Sequence, residues 1–427
     1  MNICVVALGK IGLPLAVQFA AKGHRVVGAD VSERVVELVN DGAVPFPGEA
    51  DLDVRLKEVV AAGLLSATTD TTAAVAGAEA VVVVVPLFVD ADGVPDFGWM
   101  DDATRAIAAG LKPGTLVSYE TTLPVGTTRG RWAPMLAEGS GLTAGTDFHL
   151  VFSPERVLTG RVFADLRRYP KLVGGLDEAS GEHGVRFYEA VLDFDERPDL
   201  TRPNGVWDLG SAEASELAKL AETTYRDVNI GLANQFARFA DTVGVDVMKV
   251  IEACNTQPYS HIHSPGIAVG GHCIPVYPRM YLWNDPTATV VRSAREANVA
   301  MPEYAVDLLA AAYGDLTGVG VLVLGAAYRG GVKETAFSGV FPTVQALHRR
   351  GAKPYVSDPM YTNEELVAHG LPGYHGEPVS AAVVQADHAE YRTLGSADLP
   401  GVTVLVDGRR VTEPSRWPNV RRVVIGG

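Results

Sequence analysis

Cys273 stands in the run Gly270-Gly271-His272-Cys273-Ile274-Pro275, and two glycines beside a thiol are the pattern of backbone brought close to a reacting or bound group. A thiol so placed can attack a carbonyl carbon. On an aldehyde the product is a thiohemiacetal, and loss of hydride leaves a thioester that water opens to an acid. The alternative is a cysteine that only fills core space. A hydride acceptor is suggested near the start of the chain, where Ala7-Leu8-Gly9-Lys10-Ile11-Gly12 has the spacing of a dinucleotide turn with alanine in the first glycine position. Gly9 permits close approach of a pyrophosphate and Gly12 close packing of helix on strand. Asp30, at the end of the next strand, offers a carboxylate to ribose hydroxyls and repels the extra phosphate of NADP. NAD is the expected cofactor; an ordinary tight turn is the alternative.

Lys219, Thr223 and Arg226 follow one another at helical spacing along one side of a helix, where cations can meet an oxyanion, a carboxylate or a phosphate. A solvated helix face would show the same residues. Glu120, Thr122 and Glu155 come just after apolar runs, at the strand ends where ligands collect in parallel sheets; the carboxylates can orient water or take a proton, and Thr122 can hold a water or a hydroxyl. Asp227 and Asn229 are polar helix positions without an assigned role. His261, His263 and His272 lack a compact carboxylate set, so no metal is expected. Arg349-Arg350 and Arg409-Arg410 read as surface charge.

The elements that must position these groups are written in the hydrophobic pattern. The chain has 427 residues, 47% of them hydrophobic and 20% charged, which is enough for two or three domains. A net charge of -15 argues against nucleic acid or an anionic membrane as partner. Three scattered cysteines and a strand-like opening favour a reducing cytoplasm and no membrane insertion. Residues 2–8 read as a strand, 15–21 as a helix and 25–29 as the next strand, a βαβ opening. Runs at 80–85, 115–119, 150–152 and 171–173 continue a parallel sheet to about residue 200. A long helix runs from 211 toward 240, and 290–313 reads as another. Residues 320–325 open a second βα unit, with further strands at 354–356, 381–384 and 402–406.

With these runs in order, the chain resembles the UDP-glucose/GDP-mannose dehydrogenase family, especially its bacterial branch acting on UDP-N-acetylhexosamines. The resemblance rests on Val6-Ala7-Leu8-Gly9-Lys10-Ile11-Gly12-Leu13-Pro14, Glu120-Thr121-Thr122-Leu123-Pro124-Val125-Gly126-Thr127-Thr128, Ser153-Pro154-Glu155-Arg156-Val157-Leu158, Tyr225-Arg226-Asp227-Val228-Asn229-Ile230 and the Cys273 run. It implies an α/β fold of two Rossmann-like domains joined by a central helical domain with a long helix. The NAD domain would span residues 1–200, the helical dimerisation domain 201–313 and the UDP-sugar domain 314–427.

The implied reaction is oxidation of the C6 alcohol of UDP-GlcNAc or UDP-ManNAc to the uronate, through a cysteine thiohemiacetal and thioester, with UDP-glucose as the nearest alternative substrate. By position, Cys273 matches the nucleophile, Lys219 the cation that steadies the oxyanion, Thr122 a residue near the catalytic water and Glu155 the acid of the proline-glutamate run. Thr223 completes the catalytic set. Gly9, Lys10, Ile11, Gly12, Asp30 and Thr122 fall on the NAD side, and Arg156, Arg226, Asn229, Gly270, Gly271, Arg329 and Lys333 on the UDP-sugar side. A homodimer is implied, and no nucleic-acid partner. Four positions depart from the family pattern: Ala7 for glycine, Thr223 for asparagine, Tyr277 for aspartate and Ala336 for arginine. Tyrosine is neutral at pH 7 and does not copy a carboxylate, so a catalytically altered NDP-sugar-binding protein is the alternative from another functional class.

Overall fold

The computed structural model describes residues 1–90 and 93–427. The chain divides into two compact units, Met1–Ala221 and Glu222–Gly427. In the first unit the strands are β1 (Asn2–Val6), β2 (Arg25–Ala29), β3 (Leu65–Thr68), β4 (Ala80–Val83), β7 (Leu116–Tyr119), β8 (His149–Phe152), β9 (Lys171–Gly175) and β10 (Val206–Asp208), with a separate hairpin of β5 (Phe88–Val89) and β6 (Pro95–Asp96). The eight form one sheet in the order β10-β9-β8-β7-β4-β1-β2-β3. Valine-rich runs such as Ala80–Val83 are buried along their whole length, as strands covered on both faces by helices must be. From β1 the chain first builds outward through β2 and β3, then returns to lay β4 on the other side of β1. The crevice at that reversal is where open α/β sheets bind ligands.

One strand departs from the expected pattern. β9 runs antiparallel to β8, with Val151 opposite Gly175 and Phe152 opposite Gly174. Its first residue, Lys171, therefore lies at the edge where β7 and β8 end. A parallel strand would have put that residue at the opposite edge. β10 then pairs parallel to β9, so the sheet's elements run past residue 200.

The second unit holds β11 (Gly320–Leu324), β12 (Lys353–Ser357), β13 (Ala381–Val384), β14 (Val404–Asp407) and β15 (Arg421–Val424) in the order β12-β11-β13-β14-β15. All its pairings are parallel. The helix expected over 290–313 is two helices, Thr289–Val299 and Met301–Tyr313. Pro302 has no N–H to give to the preceding turn and its ring clashes there, so the second helix restarts with proline in its first turn. The long helix spans Ala212–Val243, 32 residues, and the boundary between the units falls within it. It crosses the helix Thr289–Val299 closely, because a Cβ at Gly231 would lie 3.0 Å from the Ala294 carbonyl oxygen. Buried polar groups fix the register of that crossing. Asn298 Nδ2 donates to Asp227 Oδ1 (2.8 Å), and Asn234 Nδ2 donates to Asn298 Oδ1 (2.8 Å).

The first turn of each sheet is held in the same way. The carboxylate at the end of the second strand accepts amides from the turn after the first. Leu8 N–H donates to Asp30 Oδ2 (2.7 Å), while Ala326 and Ala327 N–H donate to Asp358 Oδ2 (2.7 and 3.1 Å). Buried His388 lies 3.1 Å from the same Asp358 oxygen.

Candidate active site

The dinucleotide turn is the first station. A Cβ at Gly12 would stand 1.9 Å from the Ala7 carbonyl oxygen, so glycine there is dictated by the turn itself. At Gly9 no protein atom lies within 4 Å of the missing Cβ. The space that Gly9 keeps open is thus open to a ligand, and Gly9 and Lys10 are exposed while Gly12–Ala20 are buried. The helix Gly12–Ala21 begins at Ile11 with no side-chain cap; Leu13 N–H donates to the Gly9 carbonyl (3.1 Å) and Pro14 has no N–H, which leaves the Gly12 N–H of the first turn for an anion such as a pyrophosphate. These residues fit NAD. Ala7 adopts φ 76°, the left-handed conformation that the missing glycine would have taken without cost. Asp30 holds the turn through Leu8 and also accepts from Ser32 N–H (2.9 Å).

Further along the same sheet edge, the strand ends bring together Glu120 and Glu155, both expected there, and Lys171, which was not; Thr122 follows β7 two residues after Glu120. Thr122 is buried on the loop after β7. Lys171 Nζ donates to Glu120 Oε2 (2.7 Å) and Glu155 Oε2 (3.0 Å), and Tyr188 OH donates to Glu120 Oε1 (2.7 Å). Burial, with help from the Glu155 charge, pushes the Glu120 carboxyl up to about 7 against the pull of Lys171. Burial works the same way on Glu155, but the Lys171 ammonium, the hydrogen bond with Glu120 and the Arg156 N–H together outweigh it and hold that carboxyl below its ordinary value. Lys171 itself is raised, because the two carboxylates outweigh its burial. Arg156 donates its N–H to Glu155 Oε1 (2.9 Å) and sends its guanidinium to the Pro170 carbonyl (3.3 Å).

The loop carrying Thr122 is clasped to the long helix by Glu216, another residue absent from the sequence-based site. Its carboxyl accepts from Gly126 N–H (2.6 Å), Thr128 N–H (2.9 Å) and Thr128 Oγ1 (2.6 Å). Lys219 and Thr223 follow on the same helix, both buried, whereas Arg226 is exposed. Lys219 and Thr223 are therefore not part of a solvated face.

In the second unit Cys273 is exposed, in contrast to buried Cys4 and half-buried Cys254; all three are free. Burial pushes the Cys4 thiol up to about 12, so Cys4 is inert by comparison. The two glycines before Cys273 turn out to serve packing. A Cβ at Gly270 would stand 2.6 Å from the Tyr328 Cβ and 2.9 Å from the Phe337 carbonyl oxygen, and Gly271 has φ +91° with the Tyr328 ring at its face. Gly271 N–H donates to the Ala336 carbonyl (2.9 Å), and Tyr277 N–H to that of Cys273 (2.9 Å). The backbone of the Cys273 run is thus tied on one side to Ala336 and on the other to the first turn of the helix Tyr277–Asn284.

Asn229 pins the neighbouring loop, donating to the His261 carbonyl (2.5 Å) and accepting from His263 N–H (2.9 Å). Arg329 and Lys333 are exposed; Lys333 pairs with Glu365 (2.5 Å), and the Arg329 guanidinium lies 5.8 Å from the Tyr328 ring centre. Arg409 is not loose surface charge, since its guanidinium donates to the Gln385 and Tyr328 carbonyls (2.7 and 3.3 Å). Lys171 could have been suspected from sequence, as a lysine opening an apolar strand; Glu216 carried no such signal.

Residues 1–192 match the NAD binding domain of the UDP-glucose/GDP-mannose dehydrogenase family, and residues 213–300 its central domain. The UDP-N-acetyl-D-mannosamine dehydrogenase of Pyrococcus horikoshii is 34% identical over 96% of this chain and 96% of its own length. The solved structure of UDP-D-ManNAc dehydrogenase from that organism superposes with a TM-score of 0.87 at 32% identity, covering 100% of this chain and 99% of the other. A UDP-glucose dehydrogenase from Pyrobaculum islandicum superposes with a TM-score of 0.85 at 27% identity, covering 99% and 97%. Among the described residues no helix is long and apolar enough to cross a membrane. The dinucleotide turn, the exposed thiol and these matches over nearly the whole chain agree: it belongs to the UDP-glucose/GDP-mannose dehydrogenase family and is an NAD-dependent nucleotide-sugar dehydrogenase.

Proposed function

We propose that this enzyme oxidises the C6 alcohol of a UDP-N-acetylhexosamine, UDP-ManNAc before UDP-GlcNAc, to the uronate. The observation that carries the proposal is the exposure of Cys273, alone among the three thiols, in a chain whose first unit presents a dinucleotide turn. The mannosamine preference is supported by the name of the 34%-identical relative. When bound, NAD accepts hydride. The alcohol is first converted to the aldehyde, and the Cys273 sulfur adds to its carbon. Lys219 steadies the negative oxygen, with Thr223 beside it on the helix. Loss of a second hydride gives the thioester, and water oriented by Thr122 and Glu155 hydrolyses it, restoring the thiol. Arg156, Arg226, Asn229, Gly270, Gly271, Arg329 and Lys333 form the UDP-sugar side of this reading, and Gly9, Lys10, Ile11, Gly12, Asp30 and Thr122 the NAD side.

We further take the chain as three functional domains, 1–200, 201–313 and 314–427, working in the cytoplasm as a homodimer. Tyr225, Leu232, Phe236, Phe239 and Val243 form an exposed apolar stripe at helical spacing on the long helix, which supports the dimer. Purified protein given UDP-ManNAc, UDP-GlcNAc or UDP-glucose with NAD should form the uronate with about two NADH per sugar, fastest with UDP-ManNAc. Faster turnover of UDP-glucose would move the assignment to a UDP-glucose 6-dehydrogenase, and no NADH with any of the three would reject the reading. Tyr277, on the first turn of the helix after Cys273 where the family has aspartate, favours one second reading, an NDP-sugar-binding protein of altered catalysis. Binding of both ligands without oxidation, with activity gained by Tyr277→Asp, would establish it.

A further inference from the structure

Lys171 has no part in the steps above, yet it is built into the edge of the first sheet with unusual care. The reversal of β9 against β8 is what brings it to the ends of β7 and β8. There its side chain is 4% exposed, between Glu120 at 0% and Glu155 at 11%. Lys171 meets both carboxyls and the two carboxyls also meet each other, with Glu155 the most exposed of the three. One ammonium faces two carboxyls, so full ionisation would leave a buried excess negative charge, and a single proton relieves it. Glu120 is fully partnered. Tyr188, from the helix Glu178–Val191, donates to one of its oxygens and Lys171 to the other, while Tyr188 OH also meets Ser118 Oγ (2.6 Å). The Lys171 ammonium lies 4.8 Å from the Tyr188 ring centre.

Ser153 meets Tyr188 and its Oγ donates to the Leu172 carbonyl (2.7 Å), while Asp165 accepts from Arg161 (2.9 Å) and Leu158 N–H (3.0 Å). The Arg156 guanidinium lies 6.0 Å from the Tyr169 ring centre as well as at the Pro170 carbonyl.

We propose that Lys171 is a positioning residue that holds Glu155 ionised and aimed outward, and that Glu120 is the inner proton site with which Glu155 exchanges. The exchange is balanced within the pair. Glu155 takes a proton from a hydroxyl or a water, and then Glu155–COOH and Glu120–COO⁻ become Glu155–COO⁻ and Glu120–COOH. Burial sets the direction, since Glu120 is at 0% exposure and Glu155 at 11%; in keeping with it Glu120 is raised by burial, and Glu155 is lowered, against its burial, by Lys171, Glu120 and the Arg156 N–H together. This inference rests on the reading of Glu155 as a proton acceptor.

Two measurements test it, one with turnover and one without. In profiles of kcat/KM against pH with UDP-ManNAc and NAD, Lys171→Met should move the acid limb upward by about one pH unit or more, since a close opposite charge is worth about 1–3 units, while Lys171→Arg should keep the native limb. A purely structural lysine would lower the rate without moving the limb. Glu155→Gln should abolish the limb; if it leaves the native profile intact, the reading of Glu155 fails and the proposal with it. If Glu155→Gln abolishes the limb but Lys171→Met leaves it unmoved, only the positioning role falls. Infrared difference spectra of the full-length protein between pH 5 and pH 9 should show a carboxylic acid C=O band that disappears in Glu120→Gln and persists in Glu155→Gln. Persistence of that band in Glu120→Gln overturns the inner proton site, whether or not Lys171→Met folds.

Discussion

Replacing Glu216 by glutamine tests the clasp between the long helix and the loop that carries Thr122. Both carboxyl oxygens accept backbone amides, Gly126 N–H on one and Thr128 N–H on the other, with the Thr128 hydroxyl 2.6 Å from the second. Burial pushes this carboxyl up to about 7, against the hydrogen bonds from Thr128 and Gly126. At pH 5.5 it therefore carries a proton, which the Thr128 hydroxyl can accept, and each oxygen still faces its amide. Glutamine can satisfy only one of the two amides, because its nitrogen accepts nothing. In one orientation Gly126 N–H is orphaned, in the other Thr128 N–H, and Thr128 is fully buried. An orphaned buried amide costs about 1–3 kcal/mol, which in a unit of this size lowers Tm by about 2–12 °C. The control lies one turn earlier. Glu213 pairs with Arg129 at 2.5 Å, but their side chains are 32% and 48% exposed, and Glu213→Gln should cost no more than about 1 kcal/mol. The effect at Glu216 also has a defined pH dependence. Between the ordinary value of 4.5 and about 7 the native state holds a proton that the unfolded chain has released. The corresponding stability is complete below 4.5 and is lost as pH rises through 7, so the gap between native and Glu216→Gln should narrow at pH 8. Urea and thermal unfolding at pH 5.5 and pH 8 measure both differences. A loss at Glu216 no larger than that at Glu213, or a gap that widens at pH 8, would refute this account.

The left-handed Ala7 makes a second prediction. Relief of about 1–2 kcal/mol of backbone strain, set against about 0.5–1 kcal/mol for the greater freedom of unfolded glycine, should make Ala7→Gly more stable by up to about 1.5 kcal/mol, with Ala7→Val less stable than native, in thermal melts. Asp30→Ala should release the Leu8 amide at a cost of about 1–2 kcal/mol and narrow the preference for NAD over NADP, read by unfolding and by calorimetric titration of both cofactors. Alkylation of the native protein by iodoacetamide, followed by peptide mass spectrometry, should modify Cys273 first and leave Cys4 unmodified until the chain unfolds; equal labelling of the two would contradict their burial.

Where the pattern was local, the sequence was legible. The run Ala381–Val384 reads as a strand and is one, and the alternation of strand and helix gives the α/β class. The direction of β9 was not legible, because Lys171-Leu172-Val173-Gly174-Gly175 is equally apolar whichever way it pairs. The two helices from Thr289 to Tyr313 share one hydrophobic period, and only Pro302 marks the restart. β15 begins with Arg421-Arg422, and that charge hid a short strand. At the candidate site, residue types at known spacing singled out Gly9, Gly12, Asp30, Glu155 and Cys273. Lys171, Tyr188 and Glu216 act through partners far away in the chain, such as Glu120 for Lys171 and Thr128 for Glu216, which no local pattern displays. Gly270 and Gly271 were noticed for the right reason, close approach, but what approaches them is Tyr328 and the Phe337 backbone.

The carboxylates of Asp30 and Asp358, each at the end of a second strand and each bound to amides of the turn after the first, have a bearing on the rates of ligand exchange. Freezing the backbone of a flexible turn costs about 1–2 kcal/mol for each residue, and in both sheets that ordering is completed when the chain folds. A ligand arriving at either turn meets backbone already in shape, so its binding does not have to bear the ordering cost of the turn. The same rigidity keeps the turns in shape after the ligand leaves. Successive exchanges of spent for fresh cofactor, as the proposed four-electron oxidation of one carbon would require, can therefore proceed without the turn having to re-form each time.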